Sequence, residues 1–345
     1  MTRRTLVRDE EVKLMVRCAQ LYYDQSQELS QADVASRLGI NPTKVSRLLR
    51  QAQTEGIVKV AIDPPRLQRL ELELMDTFGL KDAVVVPSGE GRAYDAVGKA
   101  GAEYFVRVVQ DNMTIGLAPG FSIQRMIEYL ELLAFRGHQL FPLAAESTPL
   151  LRHFYPTQLA ALMMTKYRDQ SQVSAYTYRI PNRPDRAEEL PKYGTFLKSL
   201  TQDPAFTGLL DKAGSADLIL TGVGAVSRPD PALAAFFEAY DLTPAKCLGL
   251  GAVGMMNYHL FDREGNILTA RDFPELAAME SSMVRIDLAD FRKAAKSFGR
   301  SVIALAGASY KIEPVKAALK GGFFNILITD VNLAEGLLNL KSQAE

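Results

Sequence analysis

Residues 30–53 read SQADVASRLGINPTKVSRLLRQAQ, and their punctuation decides the architecture of the first part of the chain. Ser30 is a natural N-cap, and Asp33 three positions later completes a capping-box arrangement. Ala32, Ala35 and Leu38 are expected to face inward, and Gly39 supplies the left-handed conformation that ends a helix. Ile40 re-enters the core, Asn41 caps a second helix, and Pro42 occupies its first position. Val45, Leu48, Leu49 and Ala52 repeat at helical spacing, leaving Thr43, Lys44, Ser46, Arg47 and Arg50 on outward directions. The pattern predicts a helix-turn-helix with a polar, basic second helix.

The flanks extend this unit. Upstream, Val12, Met15, Val16, Ala19 and Tyr22/Tyr23 form one apolar stripe of a helix over 10–23. Downstream, EGIVKVAIDP (55–64) offers a turn at Gly56 and a short strand or wing through Ile57, Val58, Val60 and Ile62. A three-helix domain with a merely solvated charged face is the plainer alternative. Basic helix and wing together favour binding of double-stranded DNA. Thr43, Lys44 and Ser46 lie at the helix end that enters the major groove, and the Arg47 fork matches the O6 and N7 acceptors of guanine. Arg50, Lys59 and Gln31 suit phosphate contacts, which position the protein without conveying sequence. One such module discriminates sites weakly, so a dimer or tetramer is expected.

The 345 residues carry 40 Lys plus Arg and 40 Asp plus Glu, an exact balance that hides an asymmetry. Through Arg69 there are 12 basic against 8 acidic residues, and the remainder cancels that excess of four. Hydrophobic residues make up 47% of the chain, which excludes global disorder. Only Cys18 and Cys247 occur, so a disulfide scaffold or cysteine-rich zinc site is not expected. His138, His153 and His259 form no short metal-ligand motif. The first residues lack the apolar stretch and small-residue cleavage site of a secretory leader, and no apolar run suits a membrane span. The expected compartment is the cytoplasm. Neither a Walker A motif nor the full dinucleotide-binding glycine pattern is present, so no cofactor is expected.

Pro64-Pro65 ends the first unit, 1–63. A linker helix is expected within 64–80, with Leu67, Leu70, Leu74 and Phe78 on one stripe and Gly79 after them. From 81 to 345, strand-like apolar cores alternate with helical patterns. DAVVVPS, NMTIGLAPG, HQLFPLA, QVSAYTYRI, ADLILTGVG, KCLGLGAVG, RSVIALAG and NILITD read as strands. Helices are expected near 95–109, 121–133, 155–167, 191–201, 231–239, 287–295, 312–320 and 333–340. Such alternation predicts a largely parallel, Rossmann-like α/β sheet covered on both faces. Open sheets of this kind bind ligands beyond the carboxyl ends of their strands. Five strand exits draw attention: 116–122, 221–224, 249–254, 306–311 and 329–332. Glycines there often serve only turns, and Asp330 is equally suited to capping the last helix. Together with Lys311, the exits favour a shared anion-binding pocket.

The order of these features resembles the SorC family of bacterial transcriptional regulators, which includes the deoxyribonucleoside regulator DeoR of bacilli. The likeness rests on Leu21-Tyr22-Tyr23, residues 29–62, LKDAVVVP, the exit at 115–122, ADLILTGVG, FDREGNIL and KAALKGGFFNILITD. It implies a winged helix-turn-helix followed by an effector domain like sugar-phosphate isomerases and deaminases, which binds a metabolite instead of converting it. It further implies a regulator, with repression preferred, of a carbohydrate operon controlled by a sugar, polyol or phosphosugar. The effector-binding residues expected on this basis are Gly116, Gly120, Phe121, Ser122, Thr221, Gly222, Gly224, Lys311, Asp330 and Asn332. Two motifs depart from the family. Pro119-Gly120-Phe121-Ser122 stands where tryptophan, glycine, a variable residue and threonine are usual, and Thr329-Asp330-Val331 stands for Thr-Asp-Glu. Phe121 and Val331 make the expected pocket more apolar. The alternative is an isomerase- or deaminase-like enzyme with a DNA-binding appendage, for which Asp330, Glu146 and His259 are the available acid–base groups.

Overall fold

Helix caps account for the architecture of the first unit in the computed structural model, which describes residues 3–23, 29–58, 65–87, 93–145, 156–177, 180–181, 184 and 186–342. By internal contacts the chain divides into Met1–Asp63 and Pro64–Glu345. The first unit holds helices Arg3–Tyr23, Gln31–Leu38 and Pro42–Thr54. The Ser30 hydroxyl accepts the Asp33 N–H at 3.2 Å, while Asp33 accepts the Ser30 N–H at 2.9 Å. Gly39 closes the helix at φ 64°. Asn41 Oδ1 then accepts the Lys44 N–H at 2.8 Å and starts the next helix. Met15, Cys18, Ala19, Val34, Ala35, Val45, Leu48, Leu49 and Ala52 form the core. Ala32 is exposed and Val34 takes the inward position expected of it. Two residues turn a helix by about 200°, so Ala32 and Val34 cannot share a face. Ile57 and Val58 form a bend, and the rest of the expected wing, including Lys59, lies outside the described residues.

The second unit is built on seven parallel strands: β1 (Asp82–Val86), β2 (Thr114–Leu117), β3 (His138–Pro142), β4 (Val173–Ala175), β5 (Leu218–Gly222), β6 (Ser301–Leu305) and β7 (Ile326–Asp330). Their spatial order is β1-β7-β6-β5-β2-β3-β4. Both faces are covered, so the central strands are buried over most of their length; β7 shows five consecutive buried residues. Helix Arg66–Phe78 belongs to this unit. Its Leu70 and Leu74 enter the core, and Glu71 Oε1 accepts the Val85 N–H at 2.9 Å, satisfying a donor on edge strand β1.

KCLGLGAVG departs from expectation. Pro244–Gly249 is a short helix, capped where Thr243 Oγ1 accepts the Lys246 N–H at 3.1 Å. Only Gly254–Met256 is extended, and it pairs antiparallel with Gly224–Ala225 and His259–Phe261 outside the main sheet. The glycines at 249–254 therefore end no strand of the parallel sheet. Helix Pro204–Gly214 was not anticipated, although Asp203 caps it by accepting the Ala205 and Phe206 N–H groups, both at 3.0 Å.

Candidate functional site

The chain leaves β2 for β3 on one side, whereas β5 returns on the other, so strand order reverses between β2 and β5. At such a reversal the two connections diverge and leave a crevice beyond the strand ends. Gly120 precedes helix Phe121–Tyr129 at φ 145°, a conformation rarely open to L side chains, and no atom crowds the missing Cβ. Ser122 is buried opposite Gly222, where a Cβ would stand 3.7 Å from that of Ser122. Thr221 is fully buried and donates to the Gly222 carbonyl at 3.2 Å. Gly116 and Gly224 serve packing: a Cβ at Gly116 would meet Leu143 at 2.8 Å, and one at Gly224 would meet Leu233 at 3.1 Å.

Lys311 lies in the turn after β6 and is buried. Its Nζ stands 4.8 Å from the Tyr94 ring centroid, and desolvation pushes its pKa down to about 8 despite the opposing charge of Asp230. Tyr94 and Arg228 were not singled out by sequence reasoning, and Tyr310 was included only as part of the exit at 306–311. The Tyr94 hydroxyl lies 2.9 Å from that of Tyr310, and the Tyr94 ring meets Phe121 edge-on at 5.0 Å. The Arg228 guanidinium covers the Tyr310 ring at 4.8 Å. Tyr310 adjoins Lys311 in sequence, the one available hint; Tyr94 is 216 residues from its partner.

Asp330 is fully buried at the end of β7. It accepts the Ala308 and Leu333 N–H groups, the latter at 3.0 Å, so it caps the last helix and clamps the Lys311 turn. Asn332 follows in the first turn of that helix and is exposed. His259 is buried, with Nδ1 3.0 Å from the Asn257 carbonyl, and burial followed by the Arg285 charge pushes its pKa down to about 3. Glu146 and His153 lie outside the described residues. Among the described residues, no group of three His, Cys, Asp or Glu is placed to hold a metal ion, and no helix is long and apolar enough to cross a membrane.

On the first unit, Thr43, Arg47 and Arg50 are exposed, while Gln31, Lys44 and Ser46 are half-buried. Arg47 Nη2 lies 3.9 Å from Glu11 of the first helix, a weak pair between exposed groups.

Comparison with known proteins agrees with this layout. The family model described as "Putative sugar-binding domain" matches residues 64–339. The chain is 27% identical over 344 residues to the sorbitol operon regulator of Klebsiella pneumoniae, covering 95% of this chain and 98% of that protein. It is 27% identical over 338 residues to the erythritol catabolism regulatory protein EryD of Brucella abortus, covering 96% and 98%. The crystal structure of the full-length Klebsiella SorC superposes with a TM-score of 0.66 at 25% identity, over 95% of this chain and 99% of that one. With more than half its length matched by one family model, the chain belongs to the sugar-binding domain family of SorC-type transcriptional regulators.

Proposed function

We propose that this chain is a homo-oligomeric repressor of a carbohydrate-catabolic operon, released from double-stranded operator DNA by a small anionic or polyhydroxylated effector. One observation carries the effector half: Lys311, a side chain only 2% exposed, sets its ammonium against the Tyr94 ring, with no hydrogen-bonding partner among the described residues, beside the crevice of a parallel sheet. Such a group is costly to bury unpaired and is well suited to an incoming anion. Gly120 and Gly222 leave room for close approach, Ser122 and Thr221 offer hydroxyls, and Phe121 with Asn332 borders the opening. Gly116, Gly224 and Asp330 shape the pocket from behind.

For the DNA half, Arg47 reads guanine, Thr43, Lys44 and Ser46 face the groove, and Arg50, Gln31 and Lys59 meet phosphates. The exposure of Thr43, Arg47 and Arg50 supports this reading. Control requires the effector to bind the operator-competent and released arrangements unequally; a hundredfold change in operator affinity needs about 2.7 kcal/mol of coupling. Supporting the regulator over an enzyme, Asp330 is engaged by two backbone N–H groups and His259 is held neutral in the interior.

The test is selection of bound sites from genomic DNA, followed by operator titration with pentose, hexose and polyol derivatives, phosphorylated or not. A paired half-site whose affinity falls with one compound supports the proposal. A site unaffected by every compound removes the effector, and turnover of a bound phosphosugar restores the enzyme.

A further inference from the structure

Lys311 is 2% exposed, yet no hydrogen bond or close ion pair among the described residues takes its three N–H donors. What faces the ammonium is the Tyr94 ring, with 4.8 Å from Nζ to the centroid. That ring is fixed from two other directions. Its hydroxyl lies 2.9 Å from the Tyr310 hydroxyl, and it meets Phe121 at 5.0 Å with an interplanar angle of 84°. Tyr310 is in turn covered by Arg228 at 4.8 Å. The three contacts join helix Ala93–Val108, the start of helix Phe121–Tyr129 and the turn Ser309–Lys311.

A ring face returns part of the attraction that a desolvated cation loses on leaving water. A charge-assisted hydrogen bond to a carboxylate or phosphate is shorter, directional and stronger. The Tyr94 face is therefore a partner that an anion can outcompete, but only if displacing the ring and parting the two hydroxyls is offset. A small ion has no further groups with which to offset it. A polyhydroxylated molecule carrying an anionic group does, through hydroxyls reaching Ser122, Thr221 and the backbone at Gly120.

We propose that Tyr94 is a specificity gate of the effector site: its ring holds the Lys311 ammonium until the anionic group of a polyhydroxylated effector displaces it, so that free inorganic anions bind only weakly. This rests on the effector site proposed above and adds the residue that decides which anions gain entry. It also explains why Tyr94 is tied to Tyr310. The hydroxyl pair keeps the closed form dominant, and the closed fraction weakens every ligand's apparent affinity by the same factor. Only ligands with additional contacts overcome that factor.

The experiment is titration of the full-length protein with inorganic phosphate, read by calorimetry, in wild type, Tyr94→Leu, Tyr310→Phe, Lys311→Met and the double variant Tyr94→Leu/Lys311→Met. Leucine keeps bulk but removes the ring and hydroxyl, so phosphate is expected to bind Tyr94→Leu about tenfold more tightly than wild type. Tyr310→Phe leaves both rings and removes one hydroxyl, and is expected to tighten phosphate about threefold; it keeps the proposal testable should Tyr94→Leu not fold. Adding Lys311→Met must abolish the gain. Wild-type affinity in both tyrosine variants, with phosphate still lost in Lys311→Met, overturns the gate and leaves the anion site standing. Phosphate binding that is indifferent to Lys311→Met in either background overturns the anion site and the gate together.

Discussion

The Asp330 carboxylate accepts the backbone N–H of Ala308 at 3.1 and 3.2 Å, and Ala308 holds φ 80°, ψ 140°. That conformation suits glycine and costs an alanine about 1–3 kcal/mol. The carboxylate and the turn into Lys311 impose it. Ala308→Gly is expected to raise stability by up to about 1 kcal/mol, since relief of strain outweighs the added freedom of the unfolded chain. Asp330→Ala is expected to cost about 1–3 kcal/mol by removing the acceptor of the Ala308 and Leu333 N–H groups. Thermal unfolding of the two variants checks both, and a stability loss in Ala308→Gly contradicts the strain.

His259 gives the fold an acid-sensitive point. Burial and then Arg285 hold its pKa at about 3, below the usual value near 6.5. Between those values the unfolded chain takes up a proton that the folded chain refuses, so stability is intact above pH 6.5 and falls as the pH drops. At pH 5 this one residue accounts for about 2 kcal/mol of loss. His259→Gln removes the titration, and its melting temperature is expected to fall less than the wild-type value between pH 7.5 and 5. Equal falls in the two proteins contradict a neutral buried His259.

Lys311 makes anion binding depend on pH at the alkaline end. With its pKa pushed down to about 8, the ammonium is present below that pH and lost above it. Affinity for phosphate is expected to fall about twentyfold between pH 7.5 and 9.5 in wild type, following the protonated fraction of Lys311, while Lys311→Met binds no phosphate at either pH. A wild-type affinity that stays flat across this range places the anion on another group.

Much of the fold was legible because buried parallel strands are written as unbroken apolar runs, as in Leu218-Ile219-Leu220 and Ile326-Leu327-Ile328. The same property misled at KCLGLGAVG, since a short apolar run cannot distinguish strand from helix. Thr243-Pro244 and Asp203-Pro204 were the decisive signals, each a cap followed by proline at the first helical position. The strand exits at 116–122, 221–224, 306–311 and 329–332 were readable from local chemistry, whereas the strand order and its reversal were not, because pairing is set by the tertiary fold. The Tyr94–Tyr310 pair was not, because only the tertiary fold brings residues 216 apart into contact.

Arg47 separates two kinds of DNA contact. If it reads a guanine, Arg47→Ala weakens binding at one base position by about 1–3 kcal/mol, and variants of that base pair lose their penalty. Loss spread evenly over all sequences makes it a phosphate contact instead. Competition binding with single-base operator variants distinguishes the two.

Effector control through the strand-end site is tested most directly by operator binding of wild type and Lys311→Met, side by side, against a panel of sugars, polyols and sugar phosphates. At least one anionic member is expected to change wild-type operator affinity about tenfold or more while leaving Lys311→Met unmoved, with both proteins binding operator equally in its absence. A compound that shifts both proteins equally, or a panel that shifts neither, contradicts control through Lys311.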